Sequence, residues 1–137
     1  MSHLNKSAAT LRIFGDDLVP QEISELLGGE PTFACAKGGL VSLASGRTRV
    51  AQSGQWHLRA ADTTPENLDA QVKELFDGLT ADLSVWRALS SRFDVNLFCG
   101  WFMQEGNEGV TIAPDTLLAL GERGIELGLD IYGPASH

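Results

Sequence analysis

The sequence predicts an α+β domain, a two-layer sandwich whose mostly antiparallel sheet carries its helices on one face. Three observations predict it. Apolar residues come in short alternating runs, such as residues 10–14 (TLRIF), and in helix-spaced stretches, such as Ile23, Leu26 and Leu27. The strand-like runs cluster around turn signals and do not alternate strictly with helices, which disfavours a wholly parallel sheet. With 137 residues, 43% of them hydrophobic and 20% charged, the chain can bury one core and still cover it with an ordinary polar surface.

Residues 10–14 end at Gly15-Asp16-Asp17 and read as a strand entering a turn. Pro20 opens a helix at its first position, Glu22 and Glu25 offset the positive pole of its dipole, and Gly28-Gly29 supplies a left-handed stop. Val19 has no side-chain acceptor, which leaves the amino end of that helix to fray or to be capped by Asp16 or Asp17. Residues 31–37 form a second strand, followed by a Gly/Ser-rich loop around KGG and ASG. Residues 47–61 follow as a strand or bent hairpin arm, in which Gln55, His57 and Arg59 alternate with Trp56, Leu58 and Ala60.

Thr64-Pro65-Glu66 marks a helix start with a hydroxyl cap, and Leu68, Val72, Leu75, Phe76 and Leu79 follow at helical spacing. A further helix covers about residues 81–92, with Leu83, Trp86 and Leu89 on one side, either separate from the first or continuous with it through a kink. Residues 93–103 alternate Val95, Leu97, Cys99, Trp101 and Met103 with Asn96, Phe98, Gly100 and Phe102, apolar enough on both faces for an interior strand. EGNEG at 105–109 is a hairpin connection with Asn107 as turn chemistry, and residues 109–113 return as a strand. Pro114-Asp115 starts a last helix through Leu117, Leu118 and Leu120, and residues 125–132 close the sheet. The order gives a ferredoxin-like βαββαβ core plus a C-terminal βαβ extension. Residues 10–133 are one domain, preceded by a disordered or extended segment over 1–9 and followed by a tail at 134–137.

Charge narrows the function classes. The net charge is −8, too acidic for a nucleic-acid backbone binder. It is also segregated. Between Glu30 and Asp62 there is no acid, while Lys37, Arg47, Arg49 and Arg59 fall there, so the remainder carries −12. No apolar run is long enough for a signal peptide or a membrane span, and the only cysteines, Cys35 and Cys99, read as thiols of a reducing, cytoplasmic compartment. A Cys35–Cys99 bridge is the one pairing open to them.

Three stretches carry a resemblance: LRIFGDDLVPQEISELLGGEPT, GQWHLRA, and FDVNLFCGWFMQEGNEGVTIAPDTLLALGERGIELGLDIYG. Together they resemble the bacterial family numbered 4279 among domains of unknown function, over nearly the whole chain. The resemblance implies a small single-domain cytosolic protein, supplies no activity, and brings a suspected link of some relatives to toxin-and-immunity gene neighbourhoods. Val19 departs from the polar residue expected there before Pro20.

No catalytic set, metal site or cofactor site is signalled. Asp16 and Asp17 would meet Asp130 if the first and last strands were neighbours, giving a hard-cation or general-base cluster; otherwise they are turn and cap residues. Lys37 with Gly38-Gly39, and Arg47 and Arg49 beside Gly46, place cations and backbone amides where an anion could sit, without the spacing of a Walker loop. A Cys99–His57 nucleophile pair lacks any local signature, and Cys99 shares its strand face with Leu97 and Trp101, where a buried thiol is expected. His57 reads as a solvated residue opposite Trp56, and Trp56, Trp86 and Trp101 as packing anchors. The expectation is therefore a non-catalytic protein-interaction module, immunity-like in one version, with an unknown protein partner or a second copy of itself. The binding residues are drawn from Lys37, Arg47, Arg49, Arg59, Asp16, Asp17 and Asp130. The alternative is a small-molecule or anion-binding domain, or a hydrolase-type enzyme using Asp16, Asp17 and Asp130.

Overall fold

The structure is a computed structural model that describes residues 6–134. In chain order it comprises β1 (Lys6–Gly15), α1 (Pro20–Leu27), β2 (Phe33–Cys35), β3 (Leu40–Ser42), β4 (Thr48–Val50) and β5 (Gly54–Arg59). Then come α2 (Leu68–Asp77), α3 (Leu83–Arg92), β6 (Asp94–Phe102), α4 (Pro114–Glu122) and β7 (Glu126–Tyr132). Five strands make one sheet in the order β2-β5-β1-β6-β7, and β3 pairs with β4 in a separate ribbon. All pairs are antiparallel except β6–β7, where α4 carries the chain back for a parallel pairing.

Alternation along β1 sets the layers. Ser7, Ala9, Leu11 and Ile13 are buried, while Lys6, Ala8, Thr10, Arg12 and Phe14 are half-buried on the opposite side. The first set joins Trp56, Val95, Leu97, Cys99 and Trp101 in one core with Ile23 and Leu27 of α1, Val72 and Leu75 of α2, and Trp86 and Leu89 of α3. The four helices therefore cover one face, as the sequence predicts. The other face is left uncovered by helices. Gly54 opens β5 because nothing larger fits: a Cβ there would lie 2.6 Å from the Gly15 carbonyl oxygen and 2.9 Å from the Leu18 Cβ.

Several local expectations are corrected. Among the described residues strand β1 already includes Lys6, four residues before the expected start, because Ser7 is built into a buried polar network. Its hydroxyl donates to the Gln71 Oε1 (2.8 Å) and accepts from the Asn67 N–H (3.1 Å), and Gln71 donates in turn to the Ser7 and Ala61 carbonyls. Residues 1–5 and 135–137, parts of the expected leading segment and tail, lie outside the described residues. The cap of α2 is Asn67, whose side chain accepts from Ala70 N–H, and not Thr64. Neither Asp16 nor Asp17 caps α1, whose N-cap is Val19 with no side-chain bond. Helices α2 and α3 are separate, with Asp82 capping the second.

The Gly/Ser-rich loop contains β3, and the single arm expected over 47–61 divides into β4 and β5, which belong to different sheets. Residues 109–113 are not a strand and 105–109 is not a hairpin; both belong to the crossover from β6 through α4 to β7. In α4, Thr116 and Leu120 are buried and Leu117 and Leu118 are exposed.

Candidate functional site

Two surfaces collect the chemistry-bearing side chains. The first is an arm. Strands β2 and β5 are neighbours in the sheet, and the chain between them rises as the β3–β4 ribbon, turned at Gly46, whose φ of 86° no side-chain-bearing residue adopts easily. The Leu43 N–H donates to the Arg47 carbonyl and the Gly46 N–H to the Leu43 carbonyl, closing the tip. Residues 42–50 are all exposed. Leu40 and Val50 face each other across the ribbon and are 73% and 59% exposed, uncovered apolar surface on the face opposite the Val41–Arg49 pair. Neither arginine has a carboxylate within ion-pair distance among the described residues.

The other expected site residues are dispersed. Lys37, at the base of the arm, pairs with Asp16 at 3.4 Å, an exposed contact of little energetic weight. Arg59 pairs with Asp62 at 2.8 Å, and its donated bonds hold that carboxyl below its ordinary range. Asp17 is exposed in the turn. Asp130 accepts from the Tyr132 hydroxyl (2.7 Å) and stays far from Asp16 and Asp17. Strand β6 stands between β1 and β7, and the register sets Asp130 against Gly100 and Gly100 against Ala8, seven residues before Gly15. The aspartate cluster is thus not assembled. Among the described residues no group of three or more His, Cys, Asp or Glu side chains could hold a metal ion.

The second surface is the uncovered sheet face, and its central residue, Arg12, is one that the charge reading passed over. Register places Phe33, His57, Arg12, Asn96 and Glu126 in one row across all five strands. The Arg12 Nε donates to the Asn96 Oδ1 at 2.9 Å, and its guanidinium lies 4.5 Å from the Phe98 ring centre and 5.3 Å from that of Phe14. His57 is packed edge-on between Phe14 (5.4 Å) and Phe33 (5.6 Å), and its buried Nε2 has no hydrogen-bond partner among the described residues. It is therefore not a solvated residue. Burial, and then the neighbouring Arg12 charge, hold its pKa below the ordinary value. The signal was legible as Thr10, Arg12 and Phe14 alternating with Leu11 and Ile13, a cation set in mid-strand between half-apolar neighbours.

Cys99 and His57 lie on opposite faces, so they form no catalytic pair; burial pushes the Cys99 thiol up to about 12. Cys35 is free and half-buried on the uncovered face opposite Gln55. Trp56, Trp86 and Trp101 are core residues as expected. Two clefts remain. One of about 400 Å³ between α2 and α4 is lined by Asp69, Phe76 and Arg123; one of about 580 Å³ along α1 is lined by Gln21, Ser24 and Glu25. Neither contains an expected site residue. Asp69 accepts from the Thr116 hydroxyl and the Arg123 guanidinium lies 4.4 Å from the ring centre of Phe76 on α2, so both tie α4 in place.

Fold and surfaces together define a small two-layer α+β domain with one helix-covered sheet face, one uncovered face and a projecting basic ribbon. No described helix is long and apolar enough to cross a membrane. The chain belongs to the domain of unknown function family DUF4279, whose model matches residues 4–134. No match occurs among the curated proteins or among the solved structures.

Proposed function

We propose that this protein is a non-catalytic interaction module that engages a protein partner through the β3–β4 arm. One observation carries the reading: an exposed apolar cross-strand pair, Leu40 and Val50, lies on one face of a ribbon whose other face carries Arg49, and no described carboxylate neutralises Arg49 or Arg47 at the tip. Isolated exposed leucines are ordinary, but a paired apolar patch on a projecting ribbon fits a docking element, and the cations steer it towards an acidic rim. The complementary partner presents an apolar groove edged by carboxylates. A ferredoxin-like core is consistent with this reading. The order β2-β5-β1-β6, antiparallel throughout, suits a βαββαβ unit whose second-to-third strand connection has grown into the arm. Two free thiols accord with a cytosolic setting.

The test is capture of native partners by the purified protein, beside an Arg47→Glu, Arg49→Glu variant and a Leu40→Ser, Val50→Thr variant. A stoichiometric partner lost by both variants supports the reading. Retention of the same partner by both, or capture of none, overturns it. Charge segregation favours one second reading, self-association, in which the arm of one copy meets the acidic remainder of another. Sedimentation at low and high salt tests it, with a dimer at low salt only as the supporting outcome.

A further inference from the structure

We propose that the uncovered sheet face is a binding site for a small carboxylate carried on a planar apolar group, held bidentately by Arg12. The proposal is independent of the arm. Arg12 has no carboxylate partner among the described residues, although the chain as a whole is strongly acidic. Its Nε is satisfied by Asn96, which fixes the guanidinium plane, and no described residue accepts from its two terminal nitrogens. Two parallel N–H groups in a fixed plane are the geometry a carboxylate fits.

The surroundings select the rest of the ligand. Phe14 and Phe98 flank the guanidinium, and Phe33 extends the aromatic surface beyond His57, across four strands or roughly 14 Å at the usual inter-strand spacing. A bicyclic aromatic acid spans part of that width. His57, whose Nε2 is buried, contributes ring surface between Phe14 and Phe33 and no polar contact. Arg12 is the one cation of this row, and Asp94 and Glu126 stand on the β6 and β7 side of the same face. That balance suits a monoanion and disfavours a phosphate dianion.

The probe is 2-naphthoate, titrated calorimetrically into the whole chain, with 2-naphthylmethanol and inorganic phosphate as controls. One saturable site per chain is expected, with Kd roughly 0.1–1 mM for a ligand of that size. The alcohol and Arg12→Lys should each weaken binding at least about tenfold, because lysine keeps the charge but loses the fork. Phe33→Ser, at an exposed position, should weaken naphthoate but leave acetate unchanged, and keeps the test valid if Arg12→Lys unfolds. Arg47→Glu, Arg49→Glu should bind naphthoate normally. Absence of saturable naphthoate binding, equal binding by Arg12→Lys, equal binding by Phe33→Ser, or displacement by phosphate at similar concentration overturns the proposal.

Discussion

His57 titrates against its surroundings. Its folded pKa lies below the ordinary 6.5, for reasons of burial and of the Arg12 charge facing it from β1; Phe14 and Phe33 supply only apolar edges. In the window that opens at 6.5 and runs downward, the unfolded chain binds a proton that the folded chain refuses, so stability present above 6.5 is lost as pH falls. Thermal unfolding at pH 7.5 and 5.5 should show this loss, and His57→Gln should shrink it; an unchanged loss would exclude His57 as its source. The two thiols should separate as sharply. An aromatic disulfide reagent should modify Cys35 in the native protein and Cys99 only after unfolding, because burial keeps the second thiol protonated and shielded. The core status of Cys99, Trp56 and Trp101 is legible from alternation and that of Trp86 from helical spacing. The packing of His57 was not, since Phe33 and Phe14 lie on other strands and only the register brings them to its ring.

Elements were legible where one face is apolar and obscure where polar side chains do the fixing. Residues 94–102 and 126–132 emerged with nearly their true bounds, because each alternates strongly. The first four residues of β1 did not, since Lys6, Ser7, Ala8 and Ala9 carry little apolar weight and are held by a network formed with α2, far along the chain. Ser7→Ala strips the Asn67 N–H and the Gln71 Oε1 of their partner in a buried setting and should cost about 2 kcal/mol in chemical denaturation. Gly54→Ala should cost about 1–3 kcal/mol by forcing β5 away from Gly15 and Leu18, whereas Gly106→Ala, with nothing within 4 Å, should leave stability unchanged. The ribbon is not legible as such, with β3 inside the expected loop and β4 inside the expected arm, because its strands are three residues each, too short for alternation to register.

At the scale of the whole molecule, charge segregation was visible in the sequence, but the surface it marks was not. Of the four cations between Glu30 and Asp62, Lys37 and Arg59 have acidic neighbours, which leaves Arg47 and Arg49 on the arm. Partner association through the arm should slow several-fold as salt rises from about 0.05 to 0.5 M while dissociation changes little, because exposed charges act mainly on the encounter. The aspartate cluster failed on topology: it required first and last strands side by side, and β6 separates them. That topology also puts β1 in the middle of the sheet, although among the described strands it comes first in the chain. A chain emerging from the ribosome therefore makes the hub of its sheet before either neighbour exists. Leu11 and Ile13 gain one flank only when residues 54–59 emerge and the other only with residues 94–102. Formation of this sheet is thus expected in one late event, only after residues 94–102 have emerged, and until then the central strand depends on shielding from outside the chain.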